Sequence, residues 1–352
     1  MDDGKRGNYV LFSARLANTI FARQTVAQPF AYFERMICTI PGNTAHLPCR
    51  RNQARASAAP CACMRPAILM YKAYLALTKP GIVLGNLVSV TGGFLLATHG
   101  QVDWRQGALV ATGVSLVVAS GCTVNNVIDR DIDQLMLRTC RRPMANGAIG
   151  IRAACVYAAL LLLAGLGLLY AATQRWLPLM LVLLGYAVYA GLYTLHLKRT
   201  SVHGTLVGSI SGAMPPVAGY CAAHGRFDAT ALLLLVMFSL WQMPHSYAIA
   251  IFRAADYRAA AIPVLPLVRG HATAKRHILL YIIAFMAASL SLGAFGAGRL
   301  YMLSMLAAGA CWLAVGIAGL RAHDDARWAR QVFLASIAVV TVLSAAMALH
   351  AV

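Results

Sequence analysis

The chain has 352 residues, 60% of them hydrophobic, and a mean hydropathy of +0.66. A soluble domain of this size does not sustain so apolar a composition, so we expect segments of about 20 apolar residues that cross a bilayer. The formal net charge is +19. Because no basic soluble domain is present to carry that charge to nucleic acid, we expect no nucleic-acid partner.

Residues 1–69 form a basic extension that differs in composition from the rest of the chain. The extension has no apolar run long enough for a signal peptide. It contains Cys38, Cys49, Cys61 and Cys63. With His46 these thiols would make a metal site, but their spacing matches no zinc pattern. The alternatives are an organelle presequence and a true start at Met64 or Met70. We expect a disordered extension that is dispensable.

Residues 70–352 contain nine apolar segments of span length, rich in Leu, Ala, Val and Gly. They cover roughly 82–98, 107–127, 153–172, 177–195, 205–223, 229–251, 278–297, 301–320 and 331–350. A β-barrel would need short alternating segments instead. The sequence therefore predicts an all-α integral membrane protein with about nine transmembrane helices bundled around a central cavity.

The loops between these segments differ in charge. The even-numbered loops carry most of the arginine and lysine, whereas the basic residues of the odd-numbered loops are Arg105, Arg175, Arg226 and Arg299. By the positive-inside rule the even loops and the amino terminus face the cytoplasm. We expect a multi-pass protein of the bacterial inner membrane, with the mitochondrial inner membrane as the alternative.

The second span ends in "NNVIDRDIDQLMLRTCRRP". Asn125, Asp129 and Asp133 are spaced four apart, so on a helix they share one face, whereas Asp131 lies about 200° from Asp129. Two neighbouring carboxylates repel unless a cation lies between them, and Mg²⁺ prefers such oxygen ligands. The alternative is a helix-end cluster neutralised by neighbouring arginines. The sequence thus predicts a magnesium site at the cytoplasmic rim.

Basic side chains on the same side of the membrane suit phosphate recognition, because guanidinium groups bind phosphate oxygens bidentately. The candidates are Arg138, Arg141, Arg142, Lys198 and Arg199. For Arg138, Arg141 and Arg142 the alternative is ordinary positive-inside charge. Asp256, the acid of the loop after the sixth span, lies between arginines. Magnesium on carboxylates together with arginines describes a diphosphate site.

Two spans suggest a cavity. The fifth reads "GSISGAMPPVAGY", and Pro215–Pro216 is expected to break its helix. The sixth carries His245 and Tyr247, and an ionisable residue inside a membrane is a functional candidate. We expect His245 to orient a substrate at the far end of the chamber; a hydrogen bond between helices is the alternative.

The motif in "NNVIDRDID" resembles that of the UbiA-type intramembrane prenyltransferases. The likeness covers about residues 70–350, and its fuller runs resemble the haem-farnesylating branch of that family. These runs are "LTKPGIV", "NNVIDRDIDQLMLRTCRRP", "LKRTSVHGTLVGSISGAMPPVAGY" and "WQMPHSYAIAIFRAADYRAAAIPVLPLVRG".

The resemblance implies that farnesyl diphosphate, held through Mg²⁺, gives its farnesyl group to a vinyl group of haem b, and that water completes haem O. It implies a partner such as a haem A synthase or a terminal oxidase assembly. Two alternatives stay open. One is a sister enzyme acting on an aromatic quinone precursor, and the other is a transporter, which would need ionisable groups near the midplane.

The resemblance also implies roles for individual residues. Asn125, Asp129 and Asp133 would form the first magnesium–diphosphate site, and Asp256 would form the second. The basic residues around the phosphates would be Arg138, Lys198 and Arg199. The chain departs from the wider family at Phe252 and Ala260, where a second pair of acids would be completed. A second metal would therefore rest on Asp256 and substrate oxygens.

Overall fold

The computed structural model describes residues 66–350, and within that range every regular element is a helix. The prediction of an all-α membrane protein with several spans is confirmed. The extension up to residue 65, its proposed cysteine and His46 site and the alternative start at Met64 lie outside the described residues.

Fourteen α-helices occur in the described range. They are α1 Pro66–Leu77, α2 Pro80–Leu96, α3 Trp104–Ile128, α4 Arg130–Asp133, α5 Ile151–Thr173, α6 Trp176–Tyr186, α7 Lys198–Thr200, α8 Gly204–His224, α9 Ala229–Phe252, α10 Ala254–Ala259, α11 Leu265–Val268, α12 Gly270–Ser291, α13 Arg299–Ala318 and α14 Asp325–His350. A π-helix over Ala187–Leu197 joins α6 to α7, and 3₁₀ turns follow α12 and α13.

The number of membrane crossings differs from the predicted nine. Within residues 66–350, seven helical segments are long and apolar enough to cross a bilayer, and α1 with α2, bent by 50°, make an eighth. The remaining prediction, 205–223, coincides with α8. That helix has 21 residues, but its Gly, Ser and Pro content keeps its mean hydropathy below the value that the other segments reach. The count of nine crossings is therefore not confirmed.

The expected break at Pro215–Pro216 is wrong, because α8 runs unbroken through both prolines. Each proline removes one amide donor from the helical ladder and crowds the carbonyl four residues earlier. Neighbouring helices can hold such a helix in place. Here α2 and α9 pack along α8, and both prolines are buried. Pro244 likewise lies inside an unbroken α9.

Close packing of α2 on α8 depends on two glycines. A Cβ on Gly93 would overlap the backbone carbonyl of Pro216, and a Cβ on Gly219 would overlap that of Val90. Small residues allow membrane helices to approach at backbone distance. The two helices therefore pack at backbone distance, and a residue larger than glycine at either position would push them apart.

This contact predicts that Gly93→Ala destabilises the protein by about 1–3 kcal/mol, since the new methyl group meets rigid backbone. Gly85→Ala is the matched control, because Gly85 is also on α2 and a Cβ there would have no neighbour within 4 Å. Thermal unfolding in detergent, followed by circular dichroism, measures both. Equal melting temperatures for the two variants would contradict the packing described here.

Candidate active site at the end of α3

Asn125, Asp129 and Asp133 keep their helical spacing although the helix is interrupted at Asp129. The α3 helix ends at Ile128, and Asp129 has φ −84° and ψ 1° before α4 begins. The amide of Asp129 still donates to the Asn125 carbonyl at 2.9 Å, and the amide of Asp133 donates to the Asp129 carbonyl at 2.8 Å. The four-residue spacing is therefore preserved, although the expected single helix is not.

Burial separates the three aspartates of the motif. Asp129 is 0% exposed and Asp133 is 1% exposed, whereas the side chain of Asp131 is 60% exposed. Asn125, which is 3% exposed, donates through Nδ2 to Asp129 Oδ2 at 2.7 Å. An ionised carboxylate is buried only when cations or hydrogen bonds compensate for its lost hydration. Asp129 and Asp133 therefore need partners, and Asp131 does not.

Cationic side chains supply that compensation. Lys198 pairs with Asp129, and Arg142 binds both carboxylate oxygens of Asp133 at 2.8 and 3.1 Å. Arg142 is one of the neighbouring arginines of the alternative interpretation, whereas Lys198 lies outside the motif. Leaving either buried carboxylate without its cation would be strongly destabilising.

Arg199 pairs mainly with Asp131. Both of its terminal nitrogens lie 2.7 Å from the Asp131 carboxylate, whereas Asp129 is 3.9 Å away. Hydrogen bonding to Arg199 lowers the pKa of Asp131 to about 2. Because the pKa is depressed, the pair persists above the usual carboxyl pKa and is lost only as the pH falls toward 2.

Two residues at this site were missed by the sequence analysis. Lys79, in the left-handed region with φ 52°, donates to the side-chain oxygen of Asn125. Thr194 accepts from Asn125 Nδ2 at 3.2 Å. Lys79 lies in the run "LTKPGIV", to which the sequence analysis gave no separate role. Asn125 is thus held from both sides.

The π-helix brings Thr194 to that position. Thr194 is buried, and its hydroxyl donates to the carbonyl of Tyr189, five residues earlier, at 2.7 Å. A π-helix adds residues to the turn and so changes which side chains face a neighbour; such segments are common at functional sites. The π-helix ends at Leu197, directly before Lys198 and Arg199.

Among the described residues, the other predicted site residues form no ion pair with Asp129 or Asp133. Arg138 and Arg141 are exposed, and Asp256 on α10 is half-buried. Within residues 66–350, no three acidic, histidine or cysteine side chains come close enough together to hold a metal ion. The segment that follows α10 does reach the motif, because Ala260 and Ile262 pack with Ile132 and Met136.

His245 and Tyr247 face different helices. His245 Nδ1 lies 2.8 Å from Ser336 Oγ on α14. Tyr247 is buried and contacts the rings of His277 and Tyr281 on α12 at 6.1 and 6.2 Å between centroids. Residues two positions apart on a helix differ by about 200° in direction, so the sequence already indicated that His245 and Tyr247 face different neighbours. The structure does not bring them into one site.

The residues around Asp129 fit a bound cation. Asp129 Oδ1 is buried and has no hydrogen-bond partner among the described residues. Mg²⁺ is usually held by one or two carboxylates, with water and substrate phosphate completing its shell. Asp129 supplies an available oxygen, and Asp133 supplies a second buried carboxylate four residues along the chain, so the requirement is met without a third acid.

Comparisons with known proteins identify the family of the chain. The model of the UbiA prenyltransferase family matches residues 86–337. A Protoheme IX farnesyltransferase of Photorhabdus laumondii is 53% identical over 281 residues, covering 80% of this chain and 95% of that protein.

Solved structures share the fold. A digeranylgeranylglyceryl phosphate synthase has a TM-score of 0.66 at 17% identity, covering 80% of this chain and 98% of that one. A UbiA homolog from Archaeoglobus fulgidus bound to GPP and Mg²⁺ has a TM-score of 0.56 at 16% identity, covering 78% and 99%. The chain belongs to the UbiA prenyltransferase family.

Proposed function

We propose that the chain transfers the farnesyl group of farnesyl diphosphate to a vinyl group of haem b, giving haem O and diphosphate. The observation that carries the proposal is 53% identity to a Protoheme IX farnesyltransferase across 95% of that protein. The buried acidic site with its surrounding cations supports the same chemistry, because a departing diphosphate needs positive charge around it.

Mg²⁺ is the cofactor that we propose, since a family member binds it together with a prenyl diphosphate. When bound, it would neutralise the negative charge that develops on the leaving diphosphate. Asp129 and Asp133 would hold it with Asn125. Asp256 would contribute from α10 to a second position.

The basic residues of the site have a separate task in this proposal. Lys198 and Arg142 neutralise Asp129 and Asp133 in the free protein. With a cation held by Asp129 and Asp133, Lys198 and Arg142 would be available to bind the phosphate oxygens. Arg138, Arg141 and Arg199 would complete the anion site from the rim. The farnesyl C–O bond then breaks with its electron pair on diphosphate.

The acceptor reacts in the apolar interior. A vinyl carbon of haem b bonds to the farnesyl carbon, and water adds its hydroxyl to the neighbouring carbon while its proton leaves. Bundle helices exclude bulk water, which protects the cationic intermediate. His245 would orient the haem, with Tyr247 shaping the wall near α12.

The proposal includes a location and a domain assignment. Residues 70–352 would form the prenyltransferase domain in the bacterial inner membrane, with the amino terminus and even loops cytoplasmic and residues 1–69 dispensable. A mitochondrial inner membrane is the alternative location. A haem A synthase or terminal oxidase assembly would take the product.

The direct test incubates the protein in membrane vesicles with Mg²⁺, farnesyl diphosphate and haem b, followed by mass spectrometry. We expect a haem O adduct that disappears when EDTA replaces Mg²⁺. Parallel samples contain 4-hydroxybenzoate in place of haem. A prenylated benzoate with no haem O would overturn the choice of acceptor, and no adduct with either acceptor would overturn the proposed activity.

The contrast between the aspartates generates a second prediction. Asp129→Asn should lower turnover by about 10²-fold or more, because it removes a carboxylate that would hold the cation needed to stabilise the leaving diphosphate in the transition state. Asp131→Asn is the matched control: the same substitution two residues away, at an exposed carboxylate paired with Arg199. We expect a much smaller loss there. Similar losses in both variants would contradict the site geometry.

A further inference from the structure

Two hydrogen bonds connect His245, the Ser336 hydroxyl and the backbone of Phe333. His245 Nδ1 lies 2.8 Å from Ser336 Oγ, and the same Oγ lies 2.6 Å from the carbonyl oxygen of Phe333. Ser336 is fully buried, so water does not compete for its hydroxyl. Both contacts of this hydroxyl are therefore with protein atoms.

These two distances determine which imidazole nitrogen carries the proton. A carbonyl oxygen only accepts, so two oxygens 2.6 Å apart need the hydroxyl proton between them. The hydroxyl then has no proton left for His245, and Nδ1 must donate to Ser336 Oγ. A neutral imidazole protonated on Nδ1 presents a lone pair on Nε2.

Aromatic side chains hold the ring while leaving Nε2 unengaged. Trp241 stacks on His245 at 4.9 Å between centroids, and Phe333 lies at 4.8 Å. Trp241 Nε1 also donates to the Ser336 carbonyl at 2.7 Å. Among the described residues, His245 Nε2 has no hydrogen-bond partner. A metal approaches an imidazole in the ring plane, so rings on its faces do not block it.

Guanidinium groups lie farther along the same aromatic row. Phe333 contacts Phe252 at 5.6 Å between centroids. The guanidinium carbons of Arg253 and Arg330 lie 5.5 and 5.8 Å from the Phe252 ring centre. Haem is a flat macrocycle with two propionate carboxylates on one edge. An aromatic row that ends in guanidinium groups suits such a molecule.

We infer that Ser336 positions His245 so that His245 Nε2 ligates the iron of the haem substrate. The inference rests on the proposed function for the identity of that substrate. A hydrogen-bond partner on the second nitrogen of a ligating histidine fixes its tautomer and ring orientation. Ser336 touches no substrate in this account, so its effect passes entirely through the imidazole.

The test titrates haem b into the purified full-length protein without farnesyl diphosphate, with absorption and resonance Raman detection. We expect a histidine-ligated spectrum in the wild type. His245→Ala should lose it, and added imidazole should restore it. Ser336→Ala should weaken haem binding about tenfold or more and shift the spectrum.

Ser344→Ala is the matched control, because Ser344 is also buried on α14 and its hydroxyl has no partner among the described residues. Its haem spectrum and affinity should match the wild type. Binding of an unreactive farnesyl thiodiphosphate reports folding in every variant and should stay unchanged. If Ser336→Ala does not bind the thiodiphosphate, the His245→Ala variant still tests whether His245 ligates the haem iron. Its spectrum should be lost and should return when imidazole is added.

Two results would overturn the inference: a wild-type spectrum and affinity in Ser336→Ala, or a wild-type spectrum in His245→Ala without imidazole. A haem O assay on the same wild-type sample separates this inference from the proposed function. Haem O formation with an unaffected Ser336→Ala spectrum would defeat the inference alone. A His245-dependent spectrum without haem O formation would support the ligation and defeat the proposed activity.

Discussion

Two carboxylates buried at the end of a membrane helix are the constraint around which this site is built. Asp129 and Asp133 are almost completely shielded from solvent. Charge so placed is tolerated only with cations beside it, and Lys198 and Arg142 provide them. Lys198 lies on α7, and Arg142 lies in the turns that follow α4. The need to neutralise the two carboxylates therefore holds both segments against the motif.

The same constraint leaves one carboxylate oxygen available. Lysine neutralises one oxygen of Asp129, whereas Oδ1 is left without a hydrogen-bond partner among the described residues. A buried acceptor of this kind is costly in the free protein. In the proposed function, a divalent cation bound at Oδ1 would recover that cost. Asn125 is hydrogen-bonded to Lys79 and Thr194, and its own hydrogen bond keeps Asp129 Oδ2 in place.

Local spacing was readable from the sequence where the chain is helical. The Asn125–Asp129–Asp133 stripe and the outward direction of Asp131 follow from helical rotation, and the amide pattern preserves them across the break at Asp129. Residues 134–150 form turns without a period, so nothing local distinguished Arg142 from its exposed neighbours Arg138 and Arg141.

Long-range contacts were not readable in the same way. Lys79 and Asn125 are 46 residues apart, and no periodic pattern connects them. The unbroken course of α8 through Pro215 depends on α2 and α9, which a local rule for proline does not consider. The π-helix before Lys198 shifts the register of its side chains relative to an α-helix, and composition alone did not indicate it.

The proposed function requires that the Asp129 carboxylate pass from Lys198 to a divalent cation when a prenyl diphosphate binds. Electron paramagnetic resonance with Mn²⁺ in place of Mg²⁺ tests it most directly, using the unreactive farnesyl thiodiphosphate. The account predicts a bound Mn²⁺ signal with phosphorus coupling in the wild type and its loss in Asp129→Asn. A bound, phosphorus-coupled signal of wild-type strength in Asp129→Asn would contradict the account.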